Sequence, residues 1–140
     1  MKKQIRQHQK RELKLQRQRL REMRGRRLGL YLHIPFCKQK CDYCDFYSLA
    51  GNADRMDDYM KALTLHLEEV APRTEGFMVD TVYIGGGTPS VLREEQLKRL
   101  LKTVEREYCL DRHCEFTVEV NPDSVTLGLL KTLYKGGVNR

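Results

Sequence analysis

Cys37, Cys41 and Cys44 form the pattern C-x3-C-x2-C within one short stretch of the chain. Several thiolates in one loop are ligands for an iron–sulfur cluster or for zinc. A cubane cluster held by three cysteines leaves one iron open to a further ligand. Structural zinc needs a fourth ligand, and the candidates are His33, Asp42, Asp45, Cys109 and Cys114. Because zinc ligands more often come as two separated pairs, the spacing favours the cluster.

A glycine-rich segment, Gly85-Gly86-Gly87-Thr88-Pro89, is the second candidate for chemistry. Glycines adopt positive φ and let the backbone approach a ligand closely, and free N–H and C=O groups there can bind a zwitterion. A tight turn between a strand and a helix explains the same residues without any ligand. The segment has no lysine where a phosphate-binding loop needs one, which excludes a nucleoside triphosphate site of that kind.

A carboxylate, Glu119, stands in Glu119-Val-Asn121-Pro122 at the end of a predicted strand. At that position its oxygens can accept hydrogen bonds from ribose hydroxyls. A solvated acid at a strand end is the alternative interpretation.

Short apolar segments alternate with helical ones after position 27, which predicts an α/β fold with a parallel sheet. The predicted strands are 28–34, 79–84 and 115–120. The predicted helices are 55–70, with Asp54 as N-cap, 94–108 and 126–135. The three candidate segments then follow three parallel strands, at the edge where α/β folds place their chemistry. A fourth strand is expected after Gly136-Gly137.

The net charge of +7 comes from one end of the chain. Residues 1–27 hold 12 Lys or Arg and 2 Glu, whereas the other 113 residues hold 14 basic and 17 acidic groups. We expect 1–27 to be a basic, disordered extension and 28–140 to be the folded body. Such an arm can bind polyanions. A solvated extension is preferred, and nucleic acid is not an expected partner.

The chain has 32% charged residues and no apolar run of the length that spans a membrane. The basic segment also lacks the apolar block of a secretory signal and the serines of a transit peptide. A cytoplasmic protein with reduced thiols is therefore expected.

The stretch from Tyr31 to Cys44, YLHIPFCKQKCDYC, resembles the radical S-adenosylmethionine (radical SAM) superfamily. Within it, the stretch is similar to the oxygen-independent coproporphyrinogen III oxidase and haem chaperone family. The resemblance implies that Cys37, Cys41 and Cys44 hold a [4Fe-4S] cluster whose open iron binds the amine and carboxylate of S-adenosylmethionine. It also implies an electron donor protein, whose electron releases a 5′-deoxyadenosyl radical that abstracts hydrogen from a substrate.

The same resemblance assigns roles to other residues. It implies that Gly85, Gly86, Gly87, Thr88 and Pro89 contact the methionyl part of S-adenosylmethionine, and that Glu119, Tyr31 and Tyr43 line the cofactor. His33 is interpreted as packed or hydrogen-bonded, and Cys109 and Cys114 as spare thiols. The implied fold is a partial TIM barrel. A full barrel needs about 250 residues, so 28–140 are expected to supply about three β/α units, the first part of a larger domain.

Phe46 indicates the branch of the family. The decarboxylating oxidases carry a further cysteine two positions after the third cluster ligand, and this chain has Phe46 there. The sequence therefore favours haem binding and transfer. Oxidative decarboxylation of coproporphyrinogen III is the first alternative. A zinc-binding module or an inactive fragment is the second.

Overall fold

The computed structural model describes residues 12, 15, 25–51 and 53–140. The expected extension at 1–27 therefore lies outside the described residues except at 12, 15 and 25–27. The elements are β1 (Arg27–Ile34), β2 (Phe36–Cys37), β3 (Leu49–Ala50), α1 (Ala53–Val70), β4 (Met78–Gly86), α2 (Glu94–Glu107), β5 (Leu110–Val118) and α3 (Leu127–Lys135). Short 3₁₀ turns occur at Ala71–Thr74 and Pro89–Val91.

The main sheet has three parallel strands in the order β1-β4-β5. Parallel neighbours cannot be joined by a tight turn, and α1 and α2 lie in the two connections between them. Ile34 pairs with Gly86, and Ile84 pairs with Val118, so the three carboxyl ends meet at one edge. The predicted α/β class with a parallel sheet is confirmed.

The hydrophobic core lies between one face of this sheet and the helices. The strands contribute Leu32, Ile34, Val82, Ile84, Phe116 and Val118. Leu97, Leu100 and Val104 of α2 are fully buried against the same core. Along β1 and β4 the alternate side chains, Tyr31 and Tyr83 among them, are exposed on the opposite face. This period-two alternation gives the sheet one face for packing and one for other contacts.

Replacing Leu100 with alanine should lower the free energy of unfolding by about 2–5 kcal/mol, because the cavity left in a close-packed core relaxes only partly. Urea denaturation of the variant measures the loss. Leu65 of α1 is the matched control, since its side chain is 65% exposed, and Leu65→Ala should change stability by about 0.5 kcal/mol or less. Equal losses in the two variants would contradict this placement of the core.

Three details differ from the sequence prediction. Strand β5 begins at Leu110 and ends at Val118. The register between β4 and β5 shifts between the pairs Val79–Leu110 and Thr81–Glu115. The sequence pattern therefore showed only the second half of β5. Asp54 is inside the first turn of α1 and is not the N-cap; an acidic residue in that turn is favourable because of the helix dipole. The pairs between β2 and β3 were not predicted, because two residues show no period.

The residues after α3 lie along the free side of β5. The backbone N–H groups of Asn139 and Arg140 both donate to the Phe116 carbonyl oxygen, and the Val118 N–H donates to the Arg140 carbonyl oxygen at 3.0 Å. This is a parallel ladder pattern, as expected for a fourth strand after Gly136-Gly137. In the described part of the chain no helix has the length and apolar character needed to cross a membrane.

Candidate metal and cofactor site

The cysteine loop is closed at its base by the short β2 and β3 pair. Phe36 pairs with Leu49, Cys37 pairs with Ala50, and the Leu49 N–H donates to the Pro35 carbonyl oxygen at 2.6 Å. Cys37 lies on β2, while Cys41 and Cys44 lie in the loop that the pair encloses. A turn joins them, in which the Cys44 N–H donates to the Cys41 carbonyl oxygen at 3.0 Å. All three thiols are free.

The glycine-rich segment 85–89, which we call the glycine turn, is hydrogen-bonded directly to the start of this loop. The Gly87 N–H donates to the Ile34 carbonyl oxygen at 2.8 Å, and the Thr88 N–H donates to the Phe36 carbonyl oxygen at 2.7 Å. The Thr88 hydroxyl also lies 3.5 Å from the Cys37 sulfur. A Cβ at Gly87 would meet the Phe36 carbonyl oxygen at 2.6 Å and the Cys37 sulfur at 3.0 Å. Glycine is therefore required there by close packing of backbone against backbone.

Glu119 directly follows β5 and is held by two hydrogen bonds to β4. The Tyr83 hydroxyl donates to one carboxylate oxygen at 2.5 Å, and the Gly86 N–H donates to the other at 3.1 Å. The Glu119 N–H itself donates to the Ile84 carbonyl oxygen at 3.0 Å. The carboxylate is thus fixed above the glycine turn, and each of its oxygens keeps lone-pair capacity for a ligand hydroxyl.

The backbone N–H groups of the glycine turn are not free, which corrects the expectation from sequence. Those of Gly86, Gly87 and Thr88 donate to Glu119, Ile34 and Phe36 respectively. Strand pairing also extends through Gly85 and Gly86, two residues further than predicted. Gly86 has φ +117°, a conformation that favours glycine. The N–H groups of this turn are therefore used within the protein.

The aromatic residues near the site differ in how firmly they are held. The Tyr31 hydroxyl lies 2.8 Å from His33 Nδ1, and His33 Nε2 lies 2.9 Å from the Tyr47 carbonyl oxygen. His33 thereby ties β1 to the end of the cysteine loop. The side chain of Tyr43 is 91% exposed, and a hydrogen bond with Cys41 is the main cause that raises the pKa of Tyr43.

Two open clefts adjoin these residues at the carboxyl edge of the sheet. One of about 410 Å³ is lined by Gly87, Thr88, Glu119, Val120, Asn121 and Pro122. The other, of about 390 Å³, is lined by Lys38, Gln39, Lys40, Cys41, Thr88, Val91, Asn121, Asp123 and Ser124. Both volumes are in the range of small-molecule sites. Pro89, the residue after Thr88, is fully buried.

The donor set fits an iron–sulfur cluster by residue type, since three free thiols stand in one loop beside the clefts. Among the residues that the structure describes, no group of three or more His, Cys, Asp or Glu side chains is close enough to hold a metal ion. The three sulfurs are therefore not gathered around one point here. The hydroxyl of Ser48, at the end of the loop, is buried without a hydrogen-bond partner. It is a polar group that a bound ligand can satisfy.

A fourth ligand for zinc is poorly placed. Both ring nitrogens of His33 are already engaged. The Val79 N–H donates to the Cys109 carbonyl oxygen, which puts Cys109 at the amino end of β4 and β5, opposite the cysteine loop. Cys114 is buried in the core, and this burial is the main cause that raises the pKa of its thiol. Of the five candidates, only Asp42 and Asp45 lie in the loop itself.

Tyr83 is a site residue that the sequence reasoning missed. It pairs with Tyr31 across β1 and β4 and with Thr117 across β4 and β5. The Tyr31 and Tyr83 ring centroids are 6.1 Å apart, and the hydroxyl of Thr117 is buried without a partner. Val82 and Ile84, on either side of Tyr83, are buried on the core face. Alternation would therefore have placed Tyr83 on the opposite face of the sheet, beside its partner Tyr31.

The hydrogen bond to Glu119 is the main cause that raises the pKa of Tyr83 above its ordinary value of 10.0. The bond contributes while the phenol is protonated and is lost as the pH rises through the raised pKa. Titration of tyrosinate absorbance in the unaltered protein and in Tyr83→Phe identifies the Tyr83 transition as the one that is missing from the variant. That transition should lie above pH 10.0. Glu119→Gln, which removes the charge, should move that transition back toward 10.0. A missing transition at or below this value would contradict the contact.

With this geometry in view, comparison with known proteins identifies the class. The model of the Radical SAM superfamily matches residues 31–140, which include the cysteine loop, the glycine turn and Glu119. The chain belongs to the radical SAM superfamily. Membership implies a [4Fe-4S] cluster and S-adenosylmethionine as the cofactors of the class.

Among the curated relatives that the chain resembles are haem chaperones. Heme chaperone HemW of Bacillus subtilis (strain 168) is 40% identical over 111 residues, which are 79% of this chain and 29% of the relative. Heme chaperone HemW of Escherichia coli (strain K12) is 40% identical over 115 residues, 81% of this chain and 30% of the relative. The chain thus spans about 30% of the length of these curated relatives.

A solved structure gives the same fold. Coproporphyrinogen III oxidase (HemN) from Escherichia coli, described as a radical SAM enzyme, matches with a TM-score of 0.77 and 34% identity. The match covers 82% of this chain and 27% of that one. The prediction that the chain has the fold of the first part of a radical SAM barrel is confirmed for these residues.

Proposed function

We propose that Cys37, Cys41 and Cys44 hold the [4Fe-4S] cluster and that the glycine turn and Glu119 bind S-adenosylmethionine. The supporting observation is that the three segments, separated by up to 82 positions in sequence, are hydrogen-bonded to one another at one edge of the sheet. When bound, the cluster supplies the electron that cleaves the cofactor reductively. The protein's contribution is to place these groups and to exclude competing reactions.

Each segment has a separate task in this proposal. The three thiols supply soft ligands for iron. The carbonyl oxygens of Gly85, Gly86 and Gly87 accept from the cofactor's ammonium group. Glu119, fixed by Tyr83 and Gly86, accepts from ribose hydroxyls. Tyr31 and Tyr43 provide aromatic contacts at the margin, where both are largely exposed.

For the whole protein we propose haem binding and transfer. The support is the agreement between Phe46, which replaces the extra cysteine of the oxidases, and the relatives that are named haem chaperones. The Phe46 side chain is 69% exposed on the cysteine loop and offers no thiol there. Haem and an electron donor protein are then the partners of this protein.

Oxidative decarboxylation of coproporphyrinogen III is the second candidate, favoured by the likeness to the oxidase structure. Two assays on the reconstituted chain separate the candidates. Haem titration followed by Soret absorbance should show saturable binding, whereas anaerobic incubation with coproporphyrinogen III, S-adenosylmethionine and a reductant should give no decarboxylated product. Turnover without haem binding would overturn the chaperone proposal in favour of the oxidase.

We further propose that 28–140 carry the cofactor chemistry and that the basic residues 1–24 are a separate extension. Arg26 and Arg27, which the sequence placed in the extension, adjoin the sheet: Arg27 is the first residue of β1, and the Met78 N–H donates to the Arg26 carbonyl oxygen at 2.9 Å. The free state of all five cysteines supports a reducing compartment such as the cytoplasm. Deleting 1–24, which leaves all of β1 in place, should leave binding of S-adenosylmethionine unchanged. Loss of that binding in the deletion variant would contradict this division.

A further inference from the structure

We infer that Ser90 is a positioning residue that locks the segment after Glu119 onto the glycine turn. This inference rests on the proposed binding of S-adenosylmethionine at these two segments. Ser90 lies in the 3₁₀ turn at Pro89–Val91, directly after the glycine turn, and is only 3% exposed. A hydroxyl buried to this degree must find partners within the protein.

The partners of Ser90 all lie in the segment after β5. The Asn121 N–H donates to Ser90 Oγ at 2.9 Å, and Ser90 Oγ lies 2.5 Å from Ser124 Oγ. The Ser124 hydroxyl donates to the Asn121 carbonyl oxygen at 3.1 Å. Because the single hydroxyl proton of Ser124 is donated to the Asn121 carbonyl oxygen, Ser90 must be the donor to Ser124. The hydrogen bonds therefore run from the Asn121 N–H through both hydroxyls and back to the Asn121 carbonyl, and every donor has an acceptor.

This ring of hydrogen bonds connects the segment after Glu119 to the 3₁₀ turn that follows the glycine turn. Ladder pairing between β4 and β5 ends at Ile84 and Val118, and the last backbone bond beyond it is from the Glu119 N–H to the Ile84 carbonyl. The next connection to the β4 side is the bond from the Asn121 N–H to Ser90. Glu119 is thus fixed on its amino side by the sheet and on its carboxyl side by Ser90.

The turn that Ser90 holds is rigid in itself. The Ser124 N–H and the Val125 N–H both donate to the Asn121 carbonyl oxygen, and the Asp123 N–H donates to Asn121 Oδ1. The Lys38 ammonium donates to the Asp123 carbonyl oxygen at 3.2 Å as a second, exposed contact of this turn, whereas the bond to Ser90 fixes Asn121 itself. Asn121 lines both clefts, so removing the anchor changes the walls of both clefts without touching any group that we assign to the cofactor.

Ser90→Ala should therefore weaken binding of S-adenosylmethionine about tenfold, as expected when one buried hydrogen bond that orders a site is lost. Equilibrium dialysis of the reconstituted chain with labelled cofactor measures this. Ser90→Thr keeps the hydroxyl and should restore most of the affinity. Ser124→Ala leaves the bond from Asn121 to Ser90 and should have a smaller effect than Ser90→Ala. Equal affinity in Ser90→Ala and the unaltered protein would overturn the inference, as would equal losses in the two alanine variants.

Hydrogen exchange of the cofactor-free protein tests the same lock independently of ligand binding. In Ser90→Ala the amide of Asn121 and those of the following turn should lose protection, while the amides of α2 keep theirs. Unchanged protection at Asn121 would overturn the inference, and general loss across α2 would show a global rather than a positioning role. If the unaltered protein binds no S-adenosylmethionine, the proposed function fails, and hydrogen exchange still decides whether Ser90 locks the turn.

Discussion

Replacing Cys41 with alanine should abolish the cluster, lowering bound iron from about four atoms per reconstituted chain to less than a tenth of that. The protein offers three thiols in this loop, and a cluster deprived of one of them keeps too few ligands to persist. The Cys41 side chain is exposed and is not part of the core, so the free energy of unfolding of the cluster-free protein should not change. Iron and sulfide analysis with absorbance of the brown chromophore measures the effect.

Cys109 is the matched control for this variant. It is also an exposed free cysteine, but it lies at the amino end of β4 and β5, at the opposite end of the strands from the loop. Cys109→Ala should keep its full iron content. Equal iron loss in both variants, or a colourless unaltered protein that binds one zinc ion, would contradict a cluster at the C-x3-C-x2-C loop.

Replacing Gly87 with alanine should lower the affinity for S-adenosylmethionine by tenfold or more and reduce cluster loading. The new Cβ would lie 2.6 Å from the Phe36 carbonyl oxygen and 3.0 Å from both the Ile34 carbonyl oxygen and the Cys37 sulfur. Two of these three atoms belong to the backbone, which cannot rotate away as a side chain can. The cysteine loop and the glycine turn must then separate, at about 1–3 kcal/mol of stability.

Gly128 is the control for the size of the added methyl group. The nearest atoms to a Cβ there would be those of the Glu94 carboxylate, the end of a flexible side chain that can move aside. Gly128→Ala lies in the first turn of α3, away from both clefts, and should bind cofactor and iron like the unaltered protein. Unchanged affinity in Gly87→Ala, measured by equilibrium dialysis beside this control, would mean that the contact between the two segments does not matter for binding.

The sequence was sufficient for the elements that show a period. Short apolar segments located β1 and β4, and the stripe containing Leu97, Leu100 and Val104 located α2, since burial imposes these patterns. The parallel order followed from alternation of strands and helices. That order in turn predicted that the cysteine loop, the glycine turn and Glu119 share one edge, where the structure brings them together.

Contacts between distant segments could not be predicted in the same way. The two-residue strands β2 and β3, which close the cysteine loop, are too short for any pattern. The register shift near Val79 hid the first half of β5. Ser90 looks like an ordinary turn residue until its hydroxyl is seen to meet Asn121 and Ser124 from another loop.

The glycine turn shows how composition can suggest the wrong group for a task. Three consecutive glycines indicated free backbone N–H groups, and the structure uses those of Gly86, Gly87 and Thr88 to join the three segments of the site. The glycines are needed because Glu119, His33 and Cys37 all approach positions where a Cβ would stand. Their first role is thus to let the segments pack closely, which in turn sets where a cofactor can bind.

Electron paramagnetic resonance of the reduced chain, after anaerobic reconstitution with iron and sulfide, tests the central claim most directly. Spectra are recorded with and without S-adenosylmethionine. A [4Fe-4S] signal whose g values shift when the cofactor is added is predicted, because the cofactor binds the one iron that Cys37, Cys41 and Cys44 leave open. A cluster signal that S-adenosylmethionine does not change, or no cluster signal at all, would contradict the account.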